Sequence, residues 1–337
     1  DDTGANSVAD MIYFSSRGPC QDGRKKPDIV APGTHVSGGV AQQSAVAGGA
    51  GSAIGCFDGT GVSGGVGGAN FFPPGQQFFS ASSGTSHSTP GVAGGCALVR
   101  QWFVNQGRNA PTPAMIKAFL ANSTRYMNGV GANDTLPSNN QGMGGMNLGM
   151  AFDGGARIYR DQPTNQLFTA SGQRRLLTAR VVSNNAPVRV TLAWTDAPGN
   201  TVGNAYNNNL DLVVRWNGQT YRGNNFASAL SIAGGAADVR NNLESVFLPA
   251  GSTGVLVVTV NATSINSDGV PGNGQPLDQD FALVVYNAEE VTVPVMEAAG
   301  QAVAADTCGL IHNGFIDPLE LVTVRLALQN IGSAPTT

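Results

Sequence analysis

The serine at position 86 stands in "SSGTSHSTPGVAGG", residues 82–95, a setting that suits covalent chemistry. A serine hydroxyl is a weak nucleophile until a base takes its proton, and the oxyanion formed by its attack needs hydrogen-bond donors. The first turn of a helix supplies such donors, because its N–H groups lack intrahelical partners and lie at the positive end of the helix dipole. Gly84 permits close backbone approach, Thr85 and Ser86 stand where strand becomes helix, and Pro90 reads as a first-turn residue whose missing N–H does little harm. The small residues of "GVAGGCALV" suit a tightly buried helix. The competing reading is structural, with the serine serving as an ordinary N-cap.

An activated serine needs a base, and the chain has three histidines, His35, His87 and His312. His87 adjoins the serine, but neighbours on a helix point about 100° apart, so its ring should face away from the Ser86 hydroxyl. His312 lies in a separate C-terminal piece. None of the three reads as a convincing general base.

The elements around Ser86 read as α/β. "MIYFSS", "PDIVAPG" and "QQFFSAS" look like short strands, and helices are expected over 86–103 and 112–125, the second with Thr112 as N-cap and Pro113 at its first position. Strands that feed helices through short turns imply a parallel sheet over residues 1–152. From about 156 the pattern becomes all-β, with strand candidates such as "VRVTLAWTDA", "LDLVVRWNGQTYRG" and "GVLVVTVNAT". Asn217-Gly218 between two of them signals a two-residue hairpin. This implies a β-sandwich over 156–289 that folds by itself, then a linker over 290–305 and the start of another β module over 306–337.

Composition narrows the class. The net charge of -4 argues against non-specific nucleic-acid binding, and the 12% charged residues leave no polybasic membrane patch. No apolar run reaches the ~18 residues of a membrane span. The four cysteines match no zinc spacing. Cys20 and Cys56 sit in loop sequence and could pair, whereas Cys96 belongs to a buried helix. Both ends of the chain read as cuts through a longer protein.

"GTSHSTPGVAGG" resembles the nucleophile motif of the subtilisin-like serine peptidases. "FSSRGP…DGRKKPDIVAPGT" resembles the segment that precedes it, and "NNQGMGGMNLGMAF" the domain-closing segment, with Met143 in an aromatic position. "LAWTDAP", "NNLDLVV", "GNN" and "DVRNNLESVF" are similar to the jelly-roll domain of the oxidatively stable alkaline protease branch. The resemblance, over about residues 10–288, implies a secreted, extracellular endopeptidase acting on proteins or peptides through an acyl-enzyme on Ser86. The Ser86 N–H, helped by the Thr85 hydroxyl, would serve the oxyanion hole. A monomer is expected. The runner-up is a non-catalytic surface protein with a degenerate peptidase fold.

Asp2 in "DTG" and His35 in "GTHVSG" imitate the partners of the family's triad. The position of the family's catalytic histidine, before the Gly-Thr, is occupied here by Pro32; His35 matches only the second histidine of that motif. No apolar strand precedes Asp2, and "APGT" matches the later segment better. The triad partners of Ser86 are therefore expected upstream of residue 1, so that this chain alone should be inactive. The resemblance also implies structural calcium in the β domain, with Asp196, Asp211 and Asp238 as ligands, although Asn209 replaces an aspartate of the family pattern. A plain loop role for these carboxylates, in Asx turns, is the alternative.

Overall fold

The computed structural model describes residues 6–39, 70–71, 79–305, 315–316, 318 and 321–336. In the N-terminal part, β1 (Val36–Gly39), β2 (Asn70–Phe71) and β3 (Phe79–Ser82) form a small antiparallel sheet with β3 in the middle. Three helices follow: α1 (Thr85–Asn105), α2 (Pro113–Asn122) and α3 (Leu148–Ala151). The expected parallel sheet is not found among the described residues. The one parallel contact there in residues 1–152 is an isolated bridge between Val30 and Gly145. Parallel ladders need crossover connections, and the described strands of this part all lie in one stretch before the first helix. "MIYFSS" is turn rather than strand: Met11 N–H donates to the Val130 carbonyl at 2.8 Å, and Met11 packs with Met127 and Ala132.

The remaining strands are β4 (Arg157–Asp161), β5 (Arg174–Val181), β6 (Val188–Ala193), β7 (Asn209–Trp216), β8 (Gln219–Arg222), β9 (Phe226–Ala227), β10 (Leu230–Ser231), β11 (Leu243–Leu248), β12 (Val255–Ser264), β13 (Ala282–Tyr286), β14 (Ala288–Glu290), β15 (Met296–Ala305) and β16 (Thr323–Asn330). Two antiparallel sheets, ordered β11-β6-β13-β4 and β14-β5-β12-β7-β8, share one apolar core that includes Leu192, Leu212, Val258 and Val285. Asn217 and Gly218 both have positive φ, 52° and 74°, and close the β7–β8 hairpin as the Asn-Gly pair predicts. The stretch expected as a linker instead contains β15, paired with β16.

The two regions are not independent. β11 and β13 are buried along their whole length, because the four-stranded sheet is covered on both faces. One face meets the second sheet; α2 lies on the other, where Met115, Ala118 and Phe119 join a core with Ala193, Phe247 and Val284. The helix forms for local reasons, since Thr112 Oγ1 accepts the Met115 N–H at 3.2 Å and Pro113 occupies the first position. Strand residues then hold both of its ends. Asp161 accepts the Thr112 N–H (3.1 Å) and hydroxyl (2.5 Å), while Arg189 donates to the carbonyls of Asn122 (3.0 Å) and Thr124 (2.6 Å). A carboxylate at the N-terminus and a guanidinium at the C-terminus both complement the helix dipole.

Candidate active site

Ser86 is the second residue of α1. Gly84 is the cap, in an extended conformation (φ 166°), so the cap role that a serine could have taken falls to a glycine. Ser86 is exposed, and as a first-turn residue its N–H has no intrahelical acceptor. The start of the helix is pinned by the preceding "APGT" segment. The Gly84 N–H donates to the Gly33 carbonyl at 2.7 Å. A Cβ on Gly33 would lie 2.2 Å from Ser88 Oγ and 2.9 Å from the Gly84 carbonyl oxygen, so this approach requires glycine. Pro90 lies in the second turn, not the first, and offers no N–H to the Ser86 carbonyl. Below, Met146 packs against Gly95, and Val99 and Phe103 anchor the helix in the core shared with α2.

The closing segment is held by Gln141, fully buried: its amide donates to the carbonyls of Met127 and Ala132 (both 2.8 Å) and accepts the Met127 N–H (2.8 Å). Met143 is buried beside it.

The histidines separate clearly. The His87 ring sits 2.5 Å from Ser82 Oγ through its Nε2, turned back toward the end of β3. The His35 N–H donates to Ser83 Oγ at 3.0 Å, three residues before the nucleophile candidate. Among the described residues, no hydrogen bond joins the Ser86 hydroxyl to a histidine or carboxylate. Asp2, His312, Cys56 and Cys308 lie outside the described residues. Cys20 and Cys96 are free thiols; the suggested pairing of Cys20 with Cys56 involves a residue outside the described ones. Thr85 is exposed beside Ser86, and its carbonyl accepts the Thr89 hydroxyl at 3.1 Å.

The three aspartates proposed as calcium ligands are each engaged by N–H or O–H donors. Asp196 accepts the N–H groups of Asn207 (2.7 Å) and Asn208 (2.9 Å). Asp238 accepts from the Asn224 amide (2.7 Å), the Asn241 amide (2.7 Å) and two backbone N–H groups. Asp211 accepts the Asn209 amide at 3.3 Å and the Thr263 hydroxyl. Among the described residues no group of three or more His, Cys, Asp or Glu side chains could hold a metal ion. Asp238 makes an Asx turn with the Arg240 N–H, whereas Asp196 accepts N–H groups 11 and 12 residues on and Asp211 lies on β7 with side-chain donors. Calcium also takes carbonyl and amide oxygens, and its place in this domain stands as an expectation of the family resemblance.

Sequence reasoning missed two residues in the β domain. Glu244 on β11 is fully buried; its Oε2 accepts the Leu212 N–H at 2.8 Å, and its Oε1 has no partner. Burial pushes its proton affinity well above the usual glutamate value, and the nearby Asp238 and Asp211 add to this. Arg189 on β6 is the other; its guanidinium lies 4.4 Å from the Phe247 ring and burial lowers its pKa to about 10. The available signal was a lone charge inside an otherwise apolar strand, "VRVTLA" and "LESVFL".

Comparison with known proteins bears on the same segment. Residues 3–144 match the model of the subtilase family, peptidase S8. Over 142 residues the chain is 32% identical to "Serine protease/ABC transporter B family protein tagB" of Dictyostelium discoideum, covering 38% of this chain and 6% of that protein. It is also 32% identical over 142 residues to "Serine protease/ABC transporter B family protein tagD" of the same organism, covering 7% of it. The chain thus spans under a tenth of the length of these relatives. The matched residues include Ser86, and at family level they support a serine peptidase. No helix among the described residues is long and apolar enough to cross a membrane.

Proposed function

We propose that this chain is part of a secreted serine endopeptidase, with Ser86 as the nucleophile that forms the acyl-enzyme and its triad partners upstream of residue 1. The observation that carries this reading is the position of Ser86: exposed, in the first turn of α1, with a glycine as the cap and the family match around it. Its own N–H is available to the oxyanion, and Thr85 stands beside it.

A second observation supports upstream partners. Helix α1 leaves Leu98 and Val104 about half exposed, at 53% and 47%, although its other side is buried. A helix apolar around most of its circumference belongs inside a larger core. Chain that covers this face is the natural place for the activating histidine and aspartate. The β domain, read as the jelly roll of the alkaline protease branch, then supports the catalytic part through α2, and the substrates are proteins or peptides.

The test is nucleophile reactivity in this chain and in a form extended upstream. The extended form should hydrolyse peptides and react with a fluorophosphonate at Ser86, and Ser86→Ala should cut turnover at least about a thousandfold. The 337-residue chain should do neither. Rapid labelling of Ser86 in the short chain would refute activation from upstream.

A further inference from the structure

Helix α1 begins without a side-chain cap. Gly84 is the cap residue and offers the first turn no side-chain acceptor. The first-turn N–H groups have no intrahelical acceptors either, and a helix end held by so little opens readily. Ser86 stands in that turn. Whatever fixes the turn therefore fixes the serine hydroxyl and the Ser86 N–H together.

Three ties join the turn to the rest of the fold. The Gly84 N–H donates to the Gly33 carbonyl at 2.7 Å, and the His35 N–H donates to Ser83 Oγ at 3.0 Å. Both of these act on residues before Ser86. The third spans it: His87 Nε2 lies 2.5 Å from Ser82 Oγ. Ser82 is a firm anchor, because it ends β3, the central strand of the small sheet, and is paired in register with Val36 of β1 and Asn70 of β2. The His87 N–H returns to the Gly84 carbonyl at 3.0 Å. The ring runs back along the turn, where a Cβ on Gly84 would lie 3.7 Å from its Cδ2. Backbone and ring of His87 thus close residues 82–87 onto the sheet, while Ser86 stays exposed within the closed turn.

We propose that His87 is a positioning residue for Ser86: its bond to Ser82 clamps the first turn of α1 to the end of β3. The proposal rests on the reading of Ser86 as the nucleophile. His87 Nε2 is turned to Ser82, so the ring takes no proton from Ser86 and acts only through the geometry of the turn. Misplacing a reacting group by about 1 Å costs on the order of 10²-fold in rate. Release of the clamp should therefore lower kcat and leave KM nearly unchanged, because the contacts that bind substrate stay in place.

The experiment compares His87→Phe, Ser82→Ala, the double variant and His87→Gln, both in the form extended upstream and in the 337-residue chain. His87→Phe keeps a ring and removes its nitrogens; His87→Gln keeps a polar group within reach of Ser82. In the extended form His87→Phe and Ser82→Ala should each lower kcat about tenfold or more, with KM within about twofold. The double variant should be no slower than the slower single, since both remove one interaction. His87→Gln should restore kcat to within about threefold of wild type. In the 337-residue chain, amide hydrogen exchange across residues 85–89 should speed up in His87→Phe and Ser82→Ala and stay near wild type in His87→Gln. Losses that multiply in the double variant overturn the proposal. So does wild-type kcat in a folded Ser82→Ala, or exchange that neither single variant changes. Activity retained by Ser86→Ala would instead count against the nucleophile, and the exchange comparison, read without turnover, still decides whether His87 clamps the turn.

Discussion

Replacing Phe119 by alanine tests whether the α/β part and the β-sandwich form one cooperative unit. Phe119 belongs to α2, in the N-terminal region, and is fully buried. Its ring packs 5.6 Å from Phe103, 5.7 Å from Trp102 and 6.1 Å from Tyr159, centroid to centroid, at the junction of α1, α2 and β4. Removing a buried phenylalanine costs about 3–5 kcal/mol, the transfer of the ring plus the cavity it leaves. That is a large fraction of the roughly 5–15 kcal/mol that holds a typical domain folded. Because α2 covers the outer face of the four-stranded sheet, the loss should be felt by the sandwich and not only by the helix. Denaturant unfolding followed by far-ultraviolet circular dichroism and by tryptophan fluorescence should give one coincident transition in both proteins, with the variant's midpoint lowered by the whole amount. Two separate transitions, with only the helical one shifted, would refute the claim that the regions share a core.

Three further outcomes follow from the same geometry. An excised fragment of residues 156–289 should be far less soluble and less stable than one that begins at 110, because it bares the sheet face carrying Phe247 and Val284; gel filtration and thermal melting of the two fragments compare them. Glu244→Gln should change the pH dependence of stability. The native state holds the Glu244 proton more tightly than the unfolded chain does, so its contribution is fully present below the ordinary glutamate range and is lost as pH rises through the higher folded value. In that window the wild type loses up to about 1.4 kcal/mol per pH unit relative to the glutamine variant. Asp280, raised to about 6 by burial, contributes equally to both proteins; parallel stability curves for the two between pH 5 and 7 would show that Glu244 is not protonated in the fold. Finally, chelator and millimolar calcium should give the same melting temperature, because Asp196, Asp211 and Asp238 are engaged by other donors; a rise of several degrees with calcium would show a site built from other oxygens.

The sequence by itself determined whatever rests on local rules. The cap and proline at Thr112 and Pro113 define α2, Asn217-Gly218 closes its hairpin, and the ordered motifs around Ser86 carry the resemblance to the subtilase family. These signals need only a few neighbouring residues. The rest depended on residues far apart in the chain. The near-continuous apolar runs of β11 and β13 announce burial on both faces, but not that α2 supplies the second cover. Arg189 and Glu244 are single charges in apolar strands, and only packing reveals that one caps a helix 65 residues away while the other has an unpaired oxygen. Asp196 and Asp238 in loops and Asp211 on β7 carry the composition of a cation site. Whether such carboxylates face a cation or their own neighbours' N–H groups is set by where the loops converge, which is a property of the folded chain.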